Sequence, residues 1–83
     1  MSTLNVEYEV QSIPQDLDRM EFENGIDDLV EEWGGEHIGA GMMMMPPFAR
    51  DMQYDLPEGS EGAGTAVERY LTNRGVKGEV EIC

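Results

Sequence analysis

Cysteine, histidine and lysine each occur once in this chain, as Cys83, His37 and Lys77. One cysteine excludes an internal disulfide and any multi-cysteine metal site. One histidine, with no cysteine beside it, is a poor ligand or base and reads as an ordinary surface or strand-start residue. No Ser/His/Asp or Cys/His constellation and no phosphate-cradling glycine loop is present, so an enzyme is not expected. The acid-rich run from Asp16 to Asp28 lacks the alternating acids and central glycine of a calcium-binding EF-hand loop. It reads as a solvated helix face. No cofactor and no metal are expected. No apolar run approaches the ~20 residues that cross a bilayer. The stretch Met1 to Asn5 has neither the basic nor the apolar region of a signal peptide. A cytoplasmic setting is the expectation.

What is present is acid. Among 83 residues, 18 are Asp or Glu and five are Lys or Arg, a net charge of −13. Such a surface repels nucleic acid and anionic membranes and attracts basic surfaces. The same excess also suits a solvated coat that serves solubility or a salt-rich cytoplasm. The 40% of hydrophobic residues, with three Tyr, two Phe and one Trp, are those of a globular chain. Residues 1–83 read as a single domain with a small core.

The chain is centred on Glu36 to Leu56. His37 to Met45 is small or apolar throughout, and Pro46-Pro47 ends it because proline lacks the N–H that a ladder needs. Asp51 to Leu56 then alternates polar and apolar, as a half-buried strand does. A helix and an outer strand lie on either side of this hairpin. Leu4, Val6, Tyr8 and Val10 alternate with Asn5, Glu7 and Glu9. Asp18 and Glu21 have capping-box spacing. Phe22, Ile26, Leu29, Val30 and Trp33 form one helical stripe, with Glu23, Asp27 and other acids on the remainder. Gly25 interrupts that helix and Gly34-Gly35 ends it. Ser60 is placed to cap a second helix, whose stripe is Ala63, Ala66, Val67, Tyr70 and Leu71. Gly75 stops it, and Val80 and Ile82 alternate with Glu79 and Glu81 in a last strand.

The order β-α-β-β-α-β, joined by right-handed crossovers, predicts a ferredoxin-like plait of the α+β class. Its four-stranded antiparallel sheet, in the order 4-1-3-2, would carry both helices on one face. The other face would then be open, and its residues follow from the alternation. They are Glu7 and Glu9 from the first strand, Asp51, Gln53 and Asp55 from the third, and Glu79 and Glu81 from the fourth. Strands lie ~4.8 Å apart and same-face residues ~6.6 Å apart along a strand, so six carboxylates would form a grid. Like charges facing one another on a sheet destabilise it. The alternation puts no lysine on that face. The grid therefore points to a basic partner, with a spacing of the same order as that of phosphates along a nucleic acid. Met43 and Met45 would add an adaptable apolar rim, and the Met-rich edge strand offers a contact for a homodimer.

Size, charge and this expected fold resemble the small acidic inhibitors encoded by phages, among them anti-CRISPR proteins and other DNA mimics. The resemblance rests on no diagnostic motif. It implies a non-enzymatic inhibitor in the host cytoplasm whose partners are CRISPR effector subunits or other basic nucleic-acid-binding proteins, with no direct contact to nucleic acid or membrane. Two other readings fit the same residues. One is an immunity or antitoxin protein that neutralises a basic nuclease toxin. The other is an acidic structural domain with no charge-specific partner.

Overall fold

A computed structural model of the chain describes residues 2–42 and 48–82. The expected rim residues Met43 and Met45 lie outside these. The elements follow in the order β1 (Ser2–Glu9), a short 3-10 turn (Val10–Ser12), α1 (Arg19–Glu32), β2 (Glu36–Met42), β3 (Ala49–Leu56), α2 (Gly62–Asn73) and β4 (Gly78–Ile82). All sheet pairings are antiparallel, and the strand order is β2-β3-β1-β4. This is the ferredoxin-like plait expected of the sequence, with β1 and β3 in the middle and β2 and β4 at the edges.

The core is what period-2 and period-3.6 patterning dictate. Leu4, Val6 and Tyr8 of β1 and Met52, Tyr54 and Leu56 of β3 are buried against Phe22, Ile26 and Val30 of α1 and Ala63, Val67 and Leu71 of α2. Asp18 caps α1, its carboxylate accepting from Met20 N–H at 2.9 Å. Gly34 ends the helix with φ +82°, a conformation open to glycine at little cost.

Gly25 sits where the two helices meet. A Cβ there would fall 2.0 Å from the Tyr70 hydroxyl. Its absence lets that hydroxyl cross α1 and donate to Phe22 O at 2.9 Å. The glycine that weakens the helix is thus what allows the helices to lock.

Four local readings need correction. Ser60 does not cap α2. It is buried, and its hydroxyl donates to Trp33 O at 2.8 Å, tying the loop to the end of α1. Trp33 leaves the buried stripe because it stands past the last helical turn, where it is 40% exposed. Val10 opens the 3-10 turn instead of ending β1. In β2, an irregularity between His37 and Gly39 inserts an extra residue. Ile38 is therefore 49% exposed, while His37 turns toward the core side and packs on Tyr54 with ring centroids 5.0 Å apart. No helix among the described residues is long and apolar enough to cross a membrane.

Candidate functional site

The open sheet face is built by strand register. Glu7 of β1 stands opposite Asp51 of β3 on one side and opposite Glu79 of β4 on the other. All three are exposed, so three carboxylates lie in one row across three adjacent strands. The next row is Gln53, Asn5 and Glu81. Asp55 begins a third row, opposite Thr3 of β1 and Glu36 of β2. Glu9 faces Ala49 and is half-buried. The six expected acids therefore share one uncovered face, but they do not fill a grid. Glu7, Asp51 and Glu79 form its centre, Glu9 and Glu81 flank it, and Asp55 stands at a far corner with Glu36. Alternation along the sequence alone does not place Glu36 there. Among the described residues no group of three His, Cys, Asp or Glu could hold a metal ion, because a row spaces its carboxylates apart.

Small residues shape the relief of this face. Gly39 and Gly41 leave the β2 flank without side chains. A Cβ on Gly41 would come 2.6 Å from Asp51 Oδ1, so that carboxylate leans over bare backbone. Three shallow depressions result, of roughly 340, 390 and 450 Å³, and Glu7 borders each of them.

One of these depressions corrects the expectation of a face without lysine. Lys77 lines it together with Glu7, Glu9 and Glu79. Its position two residues before Glu79 puts it on the same side, and Glu9 N–H donates to its carbonyl at 2.8 Å. The one lysine thus stands at the rim, beyond the end of β4.

The arginines lie elsewhere. Glu23 Oε2 on the covered side accepts the Tyr8 hydroxyl at 2.5 Å and pairs with Arg50 Nε at 3.0 Å and Arg19 Nε at 3.6 Å. The Arg50 N–H, although buried, is not aligned as a hydrogen bond, so the contact is electrostatic. Asp27 Oδ1 accepts the Tyr54 hydroxyl at 2.5 Å and lies 3.9 Å from His37 Nδ1. Burial first, then the carboxylate bond, raises both tyrosine hydroxyls well above their ordinary value of 10. Glu23 and Asp27 therefore depart from the solvated helix face expected of them. They anchor α1 to β1 and β3. Arg74 covers the Tyr70 ring at 3.6 Å.

No protein-family model matches the sequence, and no curated protein matches it at a significant level. Solved structures that share the fold include two of low identity to this chain. An ACT domain protein from Streptococcus pneumoniae is 12% identical with a TM-score of 0.59, over 98% of this chain and 86% of that one. A formyltetrahydrofolate deformylase from Pseudomonas putida KT2440 is 11% identical with a TM-score of 0.56, over 95% of this chain and 27% of that one. At such identities the likeness is one of fold.

Proposed function

We propose that this chain is a non-enzymatic inhibitor that lays its open sheet face on a basic nucleic-acid-binding surface of a partner protein, in the manner of a DNA mimic. CRISPR effector subunits are one class of target with such a surface. The observation that supports this most is the Asp51–Glu7–Glu79 row, exposed and uncovered, with two of the chain's four arginines held on the other side of the sheet. Facing like charges cost a sheet up to ~1 kcal/mol per pair. A cationic partner removes that repulsion on binding. The interaction is then electrostatic in origin, fast to form and steeply sensitive to salt. Glu9, Glu81, Asp55 and Glu36 widen the footprint on either side of the row.

The test is a pair of variants with the same change in net charge. In one, Glu7, Asp51 and Glu79 become lysine. In the other, the exposed Glu31, Glu32 and Glu61 do. The tagged chain captures its target from nuclease-treated host lysate, and single-stranded DNA is then asked to displace it. Loss of capture in the sheet variant alone, with displacement by DNA in the wild type, is the expected result. Equal loss in both variants would show that bulk charge, and not this face, holds the target.

A further inference from the structure

The two edges of the sheet are unlike. β4 carries Glu79 and Glu81 and is five residues long. After Glu36, β2 enters the longest uncharged run in the sequence, the 13 residues between Glu36 and Arg50. None of its described residues is buried. Ile38 is 49% exposed. Short length and charge are how edge strands avoid pairing with other chains, and β4 has both. Past Glu36, β2 has neither.

We infer that β2 is a pairing edge and that its occupant is a second copy of this chain, joined antiparallel about a two-fold axis at Ala40. Charge decides the occupant and the edge. Two copies of a chain at −13 can meet only where their carboxylates stay apart. Pairing through β4 would bring Glu79 of one copy within a strand spacing, ~5 Å, of acids on the other. Pairing through β2 puts three strand spacings, ~14 Å, between the Asp51 carboxylates of the two copies, because Gly39 and Gly41 add none between them. That exceeds the ~8 Å screening length of physiological salt. The register centred on Ala40 sets Gly39 against Gly41 of the second copy and brings the exposed Ile38 toward its Met42, an apolar pair. The result is one eight-stranded sheet with two acidic rows separated by a neutral, glycine-floored strip. This inference does not depend on the basic target proposed above.

Sedimentation equilibrium of the full chain across a concentration series, at about 0.15 M and about 1 M salt, tests it. The expected result is a dimer that tightens as salt screens the residual repulsion. That is opposite in sign to binding of a basic target, so either idea can fail alone. Ile38→Glu, at an already exposed position, is expected to weaken self-association about tenfold or more. Glu81→Lys on the other edge leaves it unchanged, and a thermal melt checks that each variant folds. Hydrogen exchange reads the same contact without any substitution, since the β2 amides should slow as concentration rises. A chain that stays monomeric at both salts to millimolar concentration overturns the inference. So do a dimer indifferent to Ile38→Glu in a folded variant, and slowed amides on β4 instead of β2.

Discussion

The two faces of the sheet use the same side chain in opposite ways. On the covered face Glu23 and Asp27 each hold a tyrosine hydroxyl at 2.5 Å, and Glu23 also meets two arginines. On the open face Asp51, Glu7 and Glu79 stand in a row, with one lysine at the rim. A carboxylate under the helices is a structural joint, since it satisfies groups that burial would otherwise leave without partners. A carboxylate in the open row adds repulsion to the fold and potential to the surface. The difference arises from the few cations and where they sit. Acid is plentiful on both faces.

That contrast predicts opposite signs for the same chemical change. Glu23→Ala removes the acceptor for Tyr8 and the counter-charge for Arg50, and both groups are largely out of water. The expected loss is about 2 to 3 kcal/mol, read by urea denaturation. A cost below half a kilocalorie would mean that the joint is only geometric. Next in size is Tyr54→Phe, which leaves Asp27 without its hydroxyl donor and should cost about 1 kcal/mol at neutral pH.

The tyrosines also set an alkaline limit. Their folded values lie above the ordinary 10 at which the unfolded chain titrates. The stability they add is therefore whole below pH 10 and is lost as pH rises toward the higher folded values. The double variant Tyr8→Phe, Tyr54→Phe should start less stable and lose less between pH 9.5 and 11. Thermal melts across that range measure it, and parallel curves for the two proteins would remove the tyrosines from the explanation.

The smallest expected effect has the reverse sign. Glu7→Gln deletes the charge common to both facing pairs in the row and should stabilise the chain by a few tenths to ~1 kcal/mol at low salt. The gain should shrink as salt is added. Destabilisation by this change would mean that Glu7 has a structural partner and that the row is not a zone of repulsion.

Much of this was legible from alternation and helical spacing alone. Leu4, Val6, Tyr8, Met52, Tyr54 and Leu56 point inward as their period demands, and the order of elements fixes the plait. The open row also follows, since parity assigns Glu7, Asp51 and Glu79 to one side. What parity within one strand does not give is register between elements. Glu23 and Asp27, four apart beside the apolar stripe of α1, become partners only once Tyr8 and Tyr54 are known to lie beneath them. Two inward-facing tyrosines whose hydroxyls need acceptors were the available signal. Lys77 escaped for another reason. Its parity with Glu79 puts it on the acidic side, but it stands just before β4, outside the alternating run. The irregular start of β2 is hidden because from Ile38 onward no polar residue reveals a change of side, although Gly39 in a strand is a hint of one.

An arginine-rich peptide titrated into the isotopically labelled chain, followed by NMR, puts the contrast between the faces to the most direct test. The account predicts that shift changes concentrate on β1, β3 and β4 around Glu7, Asp51 and Glu79, and that they fade with salt. The equally exposed acids Glu31 and Glu32 at the end of α1 should move little. Changes spread over α1 as strongly as over the sheet would contradict it, because the open face would then be no more than part of an acidic coat.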